Sequence, residues 1–168
     1  MEKKNIVLIG FMGTGKSTVG HALASRLGWR FINTDDVIEE QQGMSISDMF
    51  AKLGEPVFRQ VECDVIRKSL EGMNCIIATG GGAVLAEQNR AVMKEKGYVV
   101  ALTADADTII ERVSQDQNRP LVQGDVAERV HALLEARKHA YDFADRKIDT
   151  SKLSVQEIAE MITADLQL

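Results

Sequence analysis

The chain has 168 residues and a formal net charge of −5 at pH 7, with a composition that is ordinary for a globular protein. The length predicts one domain, 1–168, and the negative charge argues against broad binding to nucleic acid or to an anionic membrane. Cys63 and Cys75 form neither a redox nor a zinc motif. Since no signal peptide or membrane span is predicted either, we expect a cytoplasmic protein with reduced thiols.

Short apolar runs alternate with longer segments of helical periodicity. The predicted strands are Asn5–Ile9, Arg30–Asn33, Cys75–Ala78, Tyr98–Leu102 and Lys147–Asp149. The predicted helices are Lys16–Leu27, Asp35–Gln42, Ser47–Leu53, Pro56–Glu71, Glu87–Lys96, Ala106–Gln115, Val126–Phe143 and Ser154–Leu166. Strands separated by helices predict the α/β class with a parallel sheet, in which ligands bind at the carboxyl ends of the strands.

Two helix starts carry capping signals. Ser154 and Glu157 have the spacing of a capping box at the start of the last helix. Asp105 is expected to cap the helix that begins near Ala106.

The most specific motif is Gly10-Phe11-Met12-Gly13-Thr14-Gly15-Lys16-Ser17, which we call the phosphate loop. It has the pattern G-x-x-x-x-G-K-[ST] between an apolar run and a helix, the context in which this pattern binds phosphates. Backbone N–H groups at a helix start attract anions. Lys16 is suited to the β- and γ-phosphates, and the Ser17 hydroxyl is suited to Mg²⁺.

Two other polar segments follow predicted strands. Thr34-Asp35-Asp36 offers a carboxylate to a substrate hydroxyl, although the residues alone favour capping of the next helix. Gly80-Gly81-Gly82, which we call the glycine turn, allows close approach of a ligand to the backbone, although a flexible connection would also need glycine.

Several arginines are candidate anion ligands. Arg59 lies three residues before Glu62 and can pair with it, whereas Arg137 lies in a charged helical segment. Together these two arginines can bind a small carboxylate. Arg119 lies in the polar segment 116–125, whose length fits either a lid or a solvated linker.

Two motifs that are absent from the sequence narrow the possible classes of phosphate-loop protein. The chain has no Asn-Lys-x-Asp motif for guanine, and no acidic residue ends the third predicted strand. A kinase of a small metabolite, with a substrate pocket and a lid that excludes water, fits these features best.

Taken together, these residues resemble the shikimate kinase family over nearly the whole chain. The matching features are Gly10–Thr18, Thr34-Asp35, Phe58-Arg59-x-x-Glu62, the glycine turn, Arg119-Pro120-Leu121, and Arg137 with Tyr141 four residues later. The resemblance implies transfer of the ATP γ-phosphoryl group to the 3-hydroxyl of shikimate, on the route to aromatic amino acids. It also implies a three-layer α/β/α P-loop NTPase fold with a five-stranded parallel sheet of order 2-3-1-4-5. Substrate-binding helices are implied at about 35–62 and a lid at about 116–125.

The family's residue roles carry over to matching positions. The resemblance implies ATP-binding positions at Gly13, Thr14, Gly15, Lys16, Ser17, Thr18, Arg112 and Arg119. It implies shikimate-binding positions at Asp35, Arg59, Gly81, Gly82 and Arg137. Lys16, Asp35 and Arg119 would be catalytic, Asp35 as the proposed base, and Ser17 would bind the cofactor Mg²⁺. A loop at Asp149-Thr150-Ser151 would lie near the adenine. We expect a monomer whose partners are ATP and shikimate.

The sequence departs from the family pattern at two places. Asn33 stands where the family has an aspartate associated with Mg²⁺ through water, so we expect weaker metal binding or a lower rate, unless Asp36 compensates. Lys138-His139-Ala140 replaces the Pro-Leu that commonly precedes the tyrosine, which could alter the local helix end. Two alternatives remain, namely a kinase of another hydroxy acid or sugar acid, and a nucleotide-binding module with little catalysis.

Overall fold

A computed structural model describes residues 5–114 and 126–168. Its strands are β1 (Asn5–Gly10), β2 (Arg30–Asn33), β3 (Cys75–Ala78), β4 (Tyr98–Thr103) and β5 (Arg146–Asp149). Its helices are α1 (Lys16–Leu27), α2 (Thr34–Gln42), α3 (Ile46–Lys52), α4 (Glu55–Ser69), α5 (Glu87–Lys96), α6 (Ala106–Ser114), α7 (Val126–Ala136) and α8 (Val155–Leu166).

The five strands form one parallel sheet in the order β2-β3-β1-β4-β5, which confirms the predicted fold class and strand order. β1 lies at the centre, where Val7 pairs with Ile77 of β3 and Val99 of β4. All six residues of β1 are buried. A strand covered on both faces needs a continuous apolar run, and Ile6–Ile9 provides one.

The core has two halves, one on each face of the sheet. On one face, Ile6 and Leu8 pack in a cluster with residues of α1 and α8. On the other face, Val7 and Ile9 pack in a cluster with residues of α4 and α5. Successive residues of β1 therefore point to opposite sides, as the period of two in a strand requires. The result is the expected three-layer arrangement.

Two smaller clusters lie next to the carboxyl ends of the strands. Phe11 and Met12 of the phosphate loop pack with residues of α6 and α7, so this loop is anchored by its apolar side chains. A separate cluster joins the helices at 34–69, where Ile38, Met49 and Phe58 are buried together. These clusters fix the walls between which a ligand would lie.

Both predicted helix caps are confirmed. The Ser154 hydroxyl accepts a hydrogen bond from the Glu157 N–H at 3.1 Å, and the Glu157 carboxylate accepts one from the Ser154 N–H at 3.1 Å. Asp105 accepts a hydrogen bond from the Thr108 N–H at 2.7 Å, and bonding to Thr108 lowers the pKa of Asp105.

Most predicted boundaries lie within two residues of the observed ones, but the helix predicted over Val126–Phe143 is wrong at its end. α7 ends at Ala136, and bonds between residues three apart then form tight turns, such as the one from the Ala140 N–H to the Arg137 carbonyl at 2.9 Å. A short 3₁₀ turn at Ala83–Leu85 was not predicted. Within residues 5–114 and 126–168, no helix is long and apolar enough to cross a membrane.

Candidate active site

The phosphate loop curves around one side of a cavity of about 350 Å³. Gly13 and Gly15 have φ values of +80° and +94°, a backbone region that favours glycine. Gly15 is also the residue that precedes α1, so the loop leads into a helix N-terminus. The helix dipole and the N–H groups of this first turn favour an anion here.

Three side chains that begin α1 lie along this cavity: Lys16, Ser17 and Thr18. The Lys16 ammonium group donates to the Gly10 carbonyl at 2.7 Å and to the Phe11 carbonyl at 3.0 Å. A positive charge is thereby held against the phosphate loop. The loop and Lys16 together make a site with the charge and geometry for phosphate groups.

The glycine turn brings together the charged residues that the sequence places far apart. A β-carbon at Gly82 would collide with the Arg59 guanidinium group, and one at Gly81 would lie 3.5 Å from Arg137 Nη1. A β-carbon at Gly80 would lie 2.9 Å from Asp35 Oδ1. Each glycine faces a different charged group, and Gly80 and Gly82 in particular lie too close to that group for a side chain, whereas a β-carbon at Gly81 would make ordinary contact.

The glycine turn also contacts the phosphate loop. A β-carbon at Gly81 would lie 3.5 Å from the Met12 N and 3.7 Å from the Gly10 carbonyl oxygen. Asp35 and Gly80 line the same cavity as Lys16. The predicted substrate residues and the predicted phosphate residues are therefore neighbours, as ligands at the carboxyl ends of parallel strands should be.

Arg137 is buried and only partly paired. Arg137 is 7% exposed, and its guanidinium group lies 5.8 Å from the centre of the Phe11 ring. The nearby Tyr141 hydroxyl donates to the Gly81 carbonyl at 3.3 Å. Arg137 Nη1 has no hydrogen-bond partner among the residues that the structure describes. A buried donor of this kind binds an incoming anion favourably, because the anion supplies the missing partner.

Glu62 lies beneath Arg59 and is only 1% exposed. Its Oε1 accepts a hydrogen bond from Arg59 Nη1 at 3.0 Å, whereas its Oε2 finds no partner within the described part of the chain. Burial raises the pKa of Glu62 to about 7, against the attraction of Arg59, which lowers it. Glu62 therefore holds Arg59 in place and titrates near neutral pH.

We expect Glu62→Gln to change how stability depends on pH. The pKa of Glu62 is raised from 4.5 to about 7 in the folded protein, so the folded state binds the extra proton between these values. The resulting stabilisation is complete below pH 4.5 and is lost as the pH rises through 7. Between pH 5 and pH 8 the wild type should therefore lose stability relative to Glu62→Gln, by at most roughly 3 kcal/mol.

Urea unfolding of both proteins at several pH values measures this difference. Glu71→Gln is a suitable control because Glu71 is exposed. A difference between wild type and Glu62→Gln that stays constant from pH 5 to pH 8 would contradict the assignment.

Asn33, rather than an aspartate of α2, caps that helix. Asn33 Oδ1 accepts hydrogen bonds from the Asp35 N–H at 3.0 Å and the Asp36 N–H at 3.4 Å, and Asn33 Nδ2 donates to Ser17 Oγ at 3.0 Å. Asn33 Oδ1 therefore bonds the start of α2, and the Asn33 amide NH₂ group faces Ser17. Asp35 lines the cavity, and Asp36 is exposed.

The cavity is also lined by Arg112, Thr150 and Leu153. Arg112 Nη1 donates to the Gly13 carbonyl at 2.8 Å, which ties α6 to the phosphate loop. The adenine contacts that the resemblance implies for Arg112 and for 149–151 stay a prediction. Arg119 and the lid at 116–125 lie outside the residues that the structure describes.

Sequence reasoning missed two contributors to the site. Glu62 appeared only as a partner for Arg59, and its burial between charged groups depends on tertiary contacts. Thr150 appeared only in a weakly matching loop, although it directly follows β5 and the other site segments also follow strands. Position relative to a strand end was the signal that could have identified it.

The strand order, the phosphate loop after β1 and the charged pocket beside it define a P-loop kinase of small molecules. The family model that matches residues 12–167 is that of shikimate kinase. The chain belongs to the shikimate kinase family, and the relatives below agree with this membership.

The similar proteins cover nearly the whole chain. The shikimate kinase of Pelotomaculum thermopropionicum is 46% identical over 160 residues, which are 95% of this chain and 93% of that protein. The shikimate kinase of Geobacter sulfurreducens is 47% identical over 161 residues, with coverage of 95% and 88%. A solved structure of the shikimate kinase from Acinetobacter baumannii in complex with shikimate has a TM-score of 0.92 and 35% identity, and covers 98% of this chain and 93% of that one.

Proposed function

We propose that this chain transfers the γ-phosphoryl group of ATP to the 3-hydroxyl of shikimate, giving ADP and shikimate 3-phosphate. The family membership supports the reaction type and the acceptor. The observation that carries the proposal is the convergence of Arg59, Arg137 and Asp35 on the glycine turn, directly beside the phosphate loop. An acceptor with one carboxylate and several hydroxyl groups matches this set of charges.

In this proposal the arginines fix the acceptor. The carboxylate of shikimate pairs with Arg137 Nη1 and with the guanidinium group of Arg59, and Glu62 keeps Arg59 oriented. Gly81 and Gly82 contact the acceptor through their backbone, and the absence of a side chain at Gly82 lets the Arg59 guanidinium group lie against the glycine turn. Two planar guanidinium groups on one carboxylate give both charge and directional hydrogen bonds, which suits recognition of a small acid.

The reacting groups then meet between the two loops. Asp35 accepts a hydrogen bond from the 3-hydroxyl and orients it for in-line attack. A bond forms between the hydroxyl oxygen and the γ-phosphorus as the bond to the β-phosphate oxygen breaks, and the hydroxyl proton passes to Asp35. Lys16 and the N–H groups of the phosphate loop stabilise the charge on the transferring group. We assign Arg119 to the same task by its match to the family pattern alone.

The residues at the start of α1 fit a magnesium ion bound together with ATP. Mg²⁺ prefers oxygen ligands and usually takes few of them from the protein, and the Ser17 hydroxyl lies at the cavity wall as one such ligand. No group of three or more His, Cys, Asp or Glu side chains within 5–114 and 126–168 forms a separate metal site. Bound with ATP, the ion would neutralise phosphate charge.

Asn33→Asp should strengthen magnesium binding. In the wild type the Asn33 amide presents its neutral NH₂ group to Ser17 Oγ, where an aspartate would present a carboxylate oxygen. An aspartate would keep one oxygen on the N–H groups of α2 and turn the other toward Ser17. We expect the half-saturating Mg²⁺ concentration to fall about fivefold, which corresponds to an attraction on the order of 1 kcal/mol.

Titration of activity with Mg²⁺ at fixed ATP measures this effect. Asn74→Asp is the matched control, because Asn74 precedes β3 and thus lies at the opposite end of the strands. An unchanged Mg²⁺ requirement in Asn33→Asp would remove this position from the metal environment.

A coupled assay of ADP release with a panel of acceptors tests the proposed function. We expect turnover with shikimate and only background rates with gluconate, with glucose and without acceptor. Higher turnover with another acid would favour the kinase of a different hydroxy acid or sugar acid. Tight ATP binding without turnover on any acceptor would favour a nucleotide-binding module.

We also propose that residues 1–168 act as one domain and as a monomer in the cytoplasm, without nucleic acid or membrane partners. The net charge of −5 supports the last point, since it disfavours polyanionic surfaces. Sedimentation of the purified protein tests the monomer, and a dimer mass would contradict it.

A further inference from the structure

Thr150 connects the edge strand of the sheet to the phosphate loop. It directly follows β5, it is 4% exposed, and its N–H donates to the Thr103 carbonyl at the end of β4 at 2.7 Å. Its hydroxyl lies 3.0 Å from the same Thr103 oxygen and 3.0 Å from the Thr14 carbonyl oxygen. The Thr150 side chain therefore reaches across the end of β4 to the loop that follows β1.

The Thr14 carbonyl fixes the direction of a neighbouring N–H group. The C=O and the N–H of one trans peptide point in opposite directions because the peptide is planar. A Thr14 carbonyl held by Thr150 thus directs the Gly15 N–H the other way. Gly15 lines the cavity and has a φ of +94°. Because glycine has no β-carbon, its backbone can also adopt other conformations, in which the peptide between Thr14 and Gly15 would be turned differently. This peptide consequently needs an external anchor to keep one orientation.

A second anchor acts on the preceding peptide in the same manner. Arg112 Nη1 donates to the Gly13 carbonyl at 2.8 Å, so the Thr14 N–H is directed away from Arg112. The two carbonyls of consecutive peptides are thus held from outside the phosphate loop by groups on α6 and after β5. Donors that are oriented before binding cost no reorganisation when the anion arrives.

We infer that Thr150 is a positioning residue for nucleotide binding, which holds the Thr14 carbonyl so that the Gly15 N–H is aimed at the phosphates. The inference rests on one part of the proposed function, namely that the ligand of the phosphate loop is a nucleotide. It assigns Thr150 a role on the phosphates, distinct from the adenine contact implied for the 149–151 loop.

Removal of the hydroxyl affects the two acceptors differently. In Thr150→Val the backbone N–H at position 150 still donates a hydrogen bond to the Thr103 carbonyl, whereas the Thr14 carbonyl loses its side-chain donor. Valine has nearly the shape of threonine, so packing is preserved. Thr150→Ser keeps the hydroxyl and should restore the anchor.

Calorimetric titration with ADP tests the inference. We expect Thr150→Val to weaken ADP binding about tenfold, as the loss of one well-aimed donor to a charged group should. Thr150→Ser should remain within about threefold of the wild type. In steady-state assays, KM for ATP should rise in Thr150→Val while KM for shikimate stays unchanged.

Thr163→Val is the matched control for a merely structural effect. The Thr163 hydroxyl is also buried and donates to the Ala159 carbonyl at 3.0 Å, but Thr163 lies in α8. It should lower stability without changing ADP affinity. If Thr150→Val does not melt cooperatively, Thr150→Ala replaces it as the variant without a hydroxyl.

Wild-type ADP affinity in a folded Thr150→Val or Thr150→Ala variant would overturn the inference, as would equal weakening in Thr150→Ser and Thr150→Val. ADP binding does not depend on the acceptor. A wild type that binds ADP but does not phosphorylate shikimate would therefore refute the proposed function and leave the test of Thr150 intact.

Discussion

Asp35→Asn is expected to lower kcat by about 10²-fold to 10⁴-fold, the range typical for loss of a positioned general base. Asp35 lines the cavity together with Lys16, and its Oδ1 lies against Gly80 of the glycine turn. An acceptor held at this turn would present a hydroxyl group to this carboxylate. Asparagine keeps the size of the side chain but cannot take the proton. KM for ATP should change little, because the phosphate loop is untouched.

Asp107→Asn is the control for this substitution. Asp107 occupies the second position of α6, as Asp35 does in α2, and it is exposed. Both changes remove one negative charge near a helix N-terminus, so effects of the helix dipole are matched. Single-turnover measurements with saturating substrates should show the loss only in Asp35→Asn. A kcat within threefold of the wild type would exclude Asp35 from the reaction.

Arg137→Gln is expected to raise KM for shikimate by about tenfold to a hundredfold. Arg137 is 7% exposed and its Nη1 has no partner in the described part of the protein, so a bound carboxylate would complete its hydrogen bonds. A hydrogen bond to a charged group contributes about 1.5–3 kcal/mol, which corresponds to this range of KM. Arg137→Lys should give an intermediate value, since lysine keeps the charge but lacks the planar fork.

Arg67→Gln provides the comparison for Arg137→Gln. Arg67 lies on α4 with a side chain that is 65% exposed, and it pairs only loosely, with Asp64 at 3.3 Å. Its replacement should leave both KM values unchanged. If Arg137→Gln melts like the wild type and still shows a normal KM for shikimate, Arg137 does not bind the carboxylate.

The parts of the fold that local patterns determine were predictable from the sequence. The apolar run at Ile6–Ile9 predicts a strand buried on both faces, and β1 is the central strand of the sheet. The phosphate loop is equally local, because its glycines, its lysine and its place between a strand and a helix are contiguous. The rule that ligands bind at the carboxyl ends of strands then brought the glycine turn and Asp35 to the same edge.

The features that sequence patterns did not give, among them the true end of α7, depend on contacts between distant segments. Helical periodicity continues past Ala136, but the chain there forms tight turns in which Tyr141 bonds to Gly81. The orientation of the Asn33 amide follows from competition between the N–H groups of α2 and Ser17, which composition cannot reveal.

The charge state and burial of Glu62 also could not be predicted from the sequence. In sequence it is one of two acidic residues within reach of Arg59 on an amphipathic helix. Only the packed structure shows that Glu62 is buried and that Glu55 is exposed. The pKa of Glu62 near 7 is therefore a property of the tertiary structure, because burial is its largest cause.

The most direct test of the account is to identify the phosphorylated product. The protein is incubated with ATP, Mg²⁺ and shikimate, and the mixture is followed by phosphorus and proton nuclear magnetic resonance. We predict one new phosphate monoester coupled to the proton on carbon 3 of shikimate, formed in step with ADP. Release of inorganic phosphate alone, or a phosphate on another hydroxyl group, would contradict the proposed geometry in which Asp35 faces the 3-hydroxyl.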